Sequence, residues 1–153
     1  MTKQKLIELY NALNTLGALK GVKFSYFVIK NLKLMQTEID ALNKSIEPSK
    51  EIKEFEQKRI ELAKSMAKKD EKGEPVSEGN HYVFEDDKAF GEAFSKLREE
   101  YKEASEAHEE RVKAYLEILK EESDIKLHEV KLEDVPSDIS VAQMNAIIDV
   151  LKE

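Results

Sequence analysis

The chain has 153 residues, of which 37% are charged and 41% hydrophobic, and its formal net charge is −7. A single domain is the expectation for this length. The absence of cysteine excludes a disulfide framework, a thiolate nucleophile and a Cys-ligated metal site. The negative charge argues against nucleic acid as the main partner, because a phosphate backbone is usually bound by a basic surface.

The first predicted element is a helix from Lys3 to Leu16, with Thr2 as its N-cap. Gly17 and Gly21 mark its end and a short connector. Its apolar stripe consists of Leu6, Leu9, Leu13 and Leu16. This stripe is too apolar to face water, so we expect the helix to pack on another element.

The next segment, residues 22–35, is the most apolar part of the chain. Apolar residues lie nearly all round the predicted helix, which indicates a thick core, a partner surface or both. Residues 1–34 also carry six lysines and a single acid, Glu8. Such a basic region orients a protein on a partner or supports head-to-tail self-assembly, and the alternative is a solvated lysine-rich helix. The candidate partner contacts in this region are Lys20, Lys23, Tyr26 and Lys30.

Two long helical stretches, residues 24–66 and 90–119, dominate the rest of the prediction. Their apolar residues recur at steps of four and three, the period of a coiled-coil seam. The linker at residues 67–89 is short and polar, so it turns the chain round. We therefore predict a long antiparallel coiled-coil hairpin. The two seams are Val28, Leu32, Met35, Ile39, Leu42 and Ile46, and Phe90, Phe94, Leu97, Tyr101 and Ala104.

Both seams carry an irregularity, at Pro48 and at His108, and these two residues fall opposite one another in the predicted hairpin. Proline removes a backbone donor, and the second seam shifts by an extra step of four after Ala104. We expect a bend or break at both places. His108 is expected to be a core histidine, whose protonation would loosen the middle of the stalk.

The linker contains a turn signal, Gly79-Asn80, between Val76 and the apolar residues from Tyr82 to Phe84. This pattern predicts a small β-hairpin at the tip of the stalk. A two-stranded hairpin is marginal alone, so Tyr82 or Phe84 should pack on Phe90 or Met66. Alternatively, these two aromatic residues are contact residues for a partner.

The C-terminal part predicts a short strand near residue 127, where Ile125 and Leu127 alternate with polar residues. A final helix follows, with Ser140 as its N-cap and Gln143 completing a capping box. The buried stripe of this helix is expected to be Met144, Ile147, Ile148 and Leu151.

The predicted fold is therefore mainly α, with minor β, in one domain spanning residues 1–153. Residues 1–35 and 120–153 form the base, where the short N- and C-terminal helices pack. Residues 36–119 form the helical-hairpin stalk, with its turn at 67–89.

No motif for catalysis is present: the sequence lacks GxxxxGK[ST], GxGxxG, HExxH and GxSxG. The three histidines fall in different predicted elements, and Asp70–Glu74 lacks the ligand spacing of a calcium loop. We therefore predict a protein that is not an enzyme, with no catalytic residue, cofactor or metal. No apolar run approaches the roughly 18 residues needed to span a membrane, so a cytoplasmic protein without membrane contact is expected.

Three segments resemble small acidic helical proteins of tailed phages, a family of unassigned function. They are Leu16–Leu32 (LGALKGVKFSYFVIKNL), Ala67–Pro75 (AKKDEKGEP) and Val130–Val135 (VKLEDV). The resemblance implies a phage or prophage origin and an interaction role. The expected function is a non-enzymatic accessory protein that acts by protein–protein contact, as a virion structural or assembly component. The alternative is a small inhibitor or adaptor that binds a host protein. Homo-oligomerisation and a virion-associated location belong to the same expectation.

Overall fold

The computed structural model describes residues 1–152, and helices dominate this part of the chain, as predicted. The helices are α1 (Lys3–Thr15), α2 (Val22–Ile46), α3 (Lys50–Met66), α4 (Asp87–Glu100), α5 (Lys102–Lys120) and α6 (Val141–Ala146). The strands are β1 (Ser77–Glu78), β2 (His81–Tyr82), β3 (Val130–Lys131) and β4 (Leu151–Lys152). The chain divides into two compact units: residues 1–46 with the described residues from 113 onward, and residues 47–112.

Four of the described helices begin where the sequence places capping residues. The side chains of Thr2, Ser49, Asp86 and Ser140 each accept a backbone N–H in the first turn that follows. Ser140 and Gln143 form the complete capping box. These side chains satisfy amide donors that have no partner within the helix, and they fix the starting residue of each helix.

The two predicted breaks have different outcomes. The break at Pro48 is confirmed, because α2 ends at Ile46 and α3 begins at Lys50. At His108 a bend stays a prediction, but a break is wrong, because α5 continues through this residue and the interruption lies earlier, at Tyr101. Residues 102–120 contain neither glycine nor proline, so a shift of the apolar seam does not interrupt the backbone hydrogen bonds.

The core of the first unit lies where α1, α2 and the C-terminal segment meet. All four leucines of the α1 stripe are at most 4% exposed. They pack with Phe24, Phe27, Met35 and Ile39 of α2 and with Val130, Ile147 and Val150. The expected burial of residues 22–35 is correct on this side of α2 and wrong on the other, where Val22, Tyr26 and Ile29 are exposed.

Two details of the C-terminal part differ from the prediction. The strand expected near residue 127 lies three residues later, as β3, and it pairs in parallel with β4. The final helix ends at Ala146, so Leu151 lies in β4 and Ile148 is exposed. The extended chain at Leu151 follows from the β3–β4 pairing, whereas the apolar spacing predicts helix there.

The second unit has a thin core. Its buried hydrophobic residues are Ile52, Ala63, Ala67 and Tyr101. The ring of Phe55 lies 5.6 Å from that of Tyr101 and 6.5 Å from that of Phe94. The predicted hairpin at Gly79-Asn80 is confirmed: Ser77 pairs with Tyr82, Glu78 pairs with His81, and Gly79 has φ +62°. The hairpin is held down by Phe84, which stacks on Phe90 at 3.9 Å.

Candidate protein-interaction surface

One side of α2 leaves apolar side chains in water. Val22, Tyr26 and Ile29 are 90%, 57% and 54% exposed, and they follow one another at steps of four and three. Lys30 and Lys33 lie on the same side of the helix and are exposed. Neither lysine forms an ion pair within residues 1–152. We call these five residues the α2 face.

A groove of about 520 Å³ adjoins this face. Its α2 wall includes Val22, Lys23 and Tyr26, and the opposite wall is formed by residues 128–131 and Asp134. Phe27 and Val130 line it as well and are almost fully buried, so the groove is apolar at depth. We call it the Tyr26 groove.

The Tyr26 ring is held at the mouth of this groove by His128. The two rings meet edge to face, with their centroids 5.5 Å apart. Such contacts stabilise an aromatic pair by about 0.5–1.5 kcal/mol beyond the area they bury. Tyr26 therefore has a preferred position although more than half of its surface is exposed.

Most charged groups around the Tyr26 groove have partners inside the protein. The Lys23 ammonium lies 2.8 Å from Asp134, and this hydrogen bond and the carboxylate charge raise the pKa of Lys23 above its ordinary value. Lys131 pairs with Glu133 at 3.4 Å. The unpaired positive charge is consequently found beyond the groove, on Lys30 and Lys33.

The far wall is positioned by Asn31, which is fully buried on the core side of α2. The Asn31 side-chain amide donates to the His128 carbonyl at 2.8 Å, and the His128 N–H donates to Asn31 Oδ1, also at 2.8 Å. The backbone N–H and C=O of His128 thus have hydrogen-bond partners without a neighbouring strand. The two hydrogen bonds hold His128, which belongs to the far wall of the Tyr26 groove, against α2.

A second groove, of about 560 Å³, lies further along α2. Leu34, Thr37 and Ala41 line it from α2, and Ile118 and Ile125 line it from the C-terminal side. Two charged residues at its edge are already paired, since Lys3 lies 2.8 Å from Glu121 and 3.9 Å from Glu38. We call this cavity the Leu34 groove.

The six residues predicted from sequence as partner contacts separate into two groups. Tyr26 and Lys30 lie on the α2 face, Lys23 is ion-paired beside it, and Lys20 is exposed in the connector before α2. Tyr82 and Phe84 belong to the second unit and are both half-buried. The stacking of Phe84 on Phe90 gives this side chain the packing role that the sequence left open.

Sequence reasoning missed Ile29, Lys33 and His128 as members of this surface. Ile29 and Lys33 follow Val22 and Tyr26 at the helical period, and this signal identifies them once the exposed side of α2 is known. His128 carries no local signal, because only the fold brings it to Tyr26.

His108 is the one described residue with a buried side-chain polar atom, Nδ1, that has no hydrogen-bond partner. The expected loosening of the stalk on protonation of His108 stays a prediction. Within residues 1–152, no group of three or more histidine or acidic side chains is placed to hold a metal ion. The same residues contain no helix that is long and apolar enough to cross a membrane.

Comparison of the chain with protein-family models, with curated proteins and with solved structures finds no match. The function is therefore argued from the surfaces described above.

Proposed function

We propose that this protein acts by binding another protein through the α2 face and the adjoining Tyr26 groove, and that it is not an enzyme. The observation that carries the proposal is the exposure of Val22, Tyr26 and Ile29 in one row beside two unpaired lysines. Single exposed apolar residues are common, whereas a continuous row next to an apolar groove is typical of an interaction site. Aromatic anchors such as Tyr26 are enriched in such interfaces.

The proposal includes the role of a phage or prophage accessory protein, as a virion structural or assembly component in the host cytoplasm or on the virion. The segment from Leu16 to Leu32, which resembles proteins of tailed phages, contains most of the α2 face. The resemblance, which rests on sequence, and the α2 face, which is defined by exposure, thus involve the same residues. This coincidence supports the accessory role.

The coiled-coil hairpin is also part of the proposal. Within residues 47–112, Phe55 of α3 contacts Tyr101, and Ala67, at the end of α3, bridges to Phe84. The residue nearer the start of α3 thus contacts the residue that comes later in the chain after the turn. This order supports an antiparallel pair of segments. Lys58 adds an ion pair to Glu100 at 3.3 Å across the same pair of helices.

Affinity capture from phage-infected cells tests the proposed function. The test variant is Val22→Asp/Ile29→Asp, and the matched control is Val141→Asp/Ile148→Asp, whose side chains are 88% and 54% exposed. The expected result is a phage virion or assembly protein, identified by mass spectrometry, that the wild type and the control retain and the test variant loses. If all three proteins retain the same set, the α2 face is not the binding site.

The same experiment on uninfected cells distinguishes the alternative role. A host protein that forms a stable 1:1 complex with the wild type, and not with the test variant, would establish an inhibitor or adaptor. It would thereby exclude the virion role as the main one.

A further inference from the structure

The Tyr26 groove and the Leu34 groove lie on the same flank of α2. This flank consists of Lys23, Phe27, Lys30, Leu34, Ala41 and Ser45, which follow at steps of four, three, four, seven and four. The opposite wall runs in the reverse direction, because Ile118 and Ile125 line the Leu34 groove and residues 128–131 line the Tyr26 groove. The two cavities are therefore arranged in line.

A segment lying along α2 finds no backbone partner on α2 or at His128. The α2 wall presents side chains only, because its backbone groups bond within the helix. On the opposite wall, the His128 N–H and C=O are both taken by Asn31. A bound segment must therefore satisfy its own backbone, as a helix does.

The charge along this flank differs between its ends and its middle. At the ends, Lys23 is paired with Asp134, and Lys3 is paired with Glu121. Between them, Lys30 and Lys33 are unpaired. The complementary segment has apolar residues at both ends and carboxylates in the middle.

We infer that α2 binds an acidic amphipathic helix of a partner protein, which lies along the flank and fills both grooves. Lys23 and Ser45 are 22 residue steps apart in α2, or about 33 Å, and this length accommodates about six turns of partner helix. This inference rests on the proposed function, and it names the kind of partner segment that lies along this flank, next to the α2 face.

A second copy of this chain fits that description less well. Its exposed acidic stripe, formed by Glu99, Glu103, Glu106 and Glu110, contains no large exposed apolar residue. Contact between the α2 faces of two copies would bring unpaired lysines together. These two features favour a different chain as the partner.

The test uses a displayed library of 24-residue helix-forming peptides, selected on the full-length protein. Selected peptides are synthesised, and their affinities are measured for the wild type, for Lys30→Glu/Lys33→Glu and for Leu34→Asp. The matched control is Lys88→Glu/Lys96→Glu, which changes the same charge at exposed, unpaired lysines of the other unit. Circular dichroism verifies that each variant is folded.

The expected peptides carry apolar residues near both ends and acidic residues between them. Charge reversal at Lys30 and Lys33 should weaken binding about tenfold or more at low salt and by less at about 0.5 M salt, whereas the control stays within about twofold. Leu34→Asp should weaken binding by about tenfold as well.

Two results would overturn the inference. One is the absence of any selected peptide, and the other is binding that neither the lysine variant nor Leu34→Asp affects. A partner whose capture depends on Val22 and Ile29, but not on Lys30, Lys33 or Leu34, would leave the proposed function standing and refute the two-groove helix. Capture that is independent of Val22 and Ile29 would refute the proposed function itself.

Discussion

The structure predicts that Asn31 contributes to stability far beyond what a polar residue on a helix usually does. Asn31→Leu preserves the approximate size of the side chain and removes both hydrogen bonds to His128. A buried backbone group without a partner destabilises the fold by about 1–3 kcal/mol. Because His128 is itself exposed, water replaces part of this loss. The N–H and the C=O of His128 both lose their partner, but water compensates for part of the loss. We therefore expect the free energy of unfolding to fall by about 1–3 kcal/mol in total, the range for a single buried group without a partner.

Urea denaturation followed by far-UV circular dichroism measures this loss. With a typical m-value of about 2 kcal/mol per molar, a loss of 2 kcal/mol lowers the midpoint by about 1 M. The matched control is Asn43→Leu, which makes the same chemical change at an exposed position of the same helix. Its midpoint should stay within about 0.3 M of the wild type. If the two variants unfold at the same urea concentration, the assigned role of Asn31 is incorrect.

Three further predictions concern the second unit. Gly79 has φ +62°, so Gly79→Ala should lower the unfolding free energy by about 1 kcal/mol. Gly91 lies in a helix with open space around the new methyl, so Gly91→Ala should raise the unfolding free energy by up to about 1 kcal/mol. Equal effects of the two substitutions would refute the assigned turn. Hydrogen bonds from Tyr101 and Lys58 lower the pKa of Glu54, so its stabilisation exists above the unfolded pKa near 4.5 and is lost as the pH falls through the folded pKa. The urea midpoint should therefore fall between pH 5 and 3, and by less in Glu54→Gln. Phe84→Ala should lower the unfolding free energy by about 1–2 kcal/mol, since this half-buried ring stacks on Phe90. The substitution should also speed hydrogen exchange at the Val83 amide. Unchanged exchange would show that the stack does not stabilise the hairpin.

Local chemistry made part of the fold predictable. Each N-cap is recognised from a side chain and the few residues that follow it, as at Thr2 and Ser140. The break at Pro48 and the turn at Gly79-Asn80 likewise depend on the residues themselves. The leucine stripe of α1 was found because its four members share one helical face.

Contacts between distant segments were not predictable in this way. The hydrogen bonds between Asn31 and His128 join residues 97 positions apart, and no local pattern marks either of them as a partner. The pairing of Val130 with Leu151 likewise makes the chain extended at Leu151, and its partner lies far away in the sequence. Apolar spacing alone favours a longer helix here, and the tertiary contact overrides it.

The candidate surface was predictable only in part, for a related reason. Lysines and aromatic residues at the start of α2 identified Lys23, Tyr26 and Lys30. Because apolar residues surround this helix, its sequence does not tell which side α1 and the C-terminal segment cover. Ile29 and Lys33 are therefore identified as surface residues only from the position of the core.

The division of the chain into two units has a consequence for its biosynthesis. Residues 47–112 are inserted within the other unit, whose core joins the leucines of α1 to Ile147 and Val150. At about 5–20 residues per second, a ribosome makes the last of these partners roughly 7–30 s after the first. The inserted unit is complete well before then, and its contacts are closer in sequence, so it should fold first. Until then only α2 can cover the leucine stripe of α1, so the core of this unit stays open on the side that Val130, Ile147 and Val150 later cover.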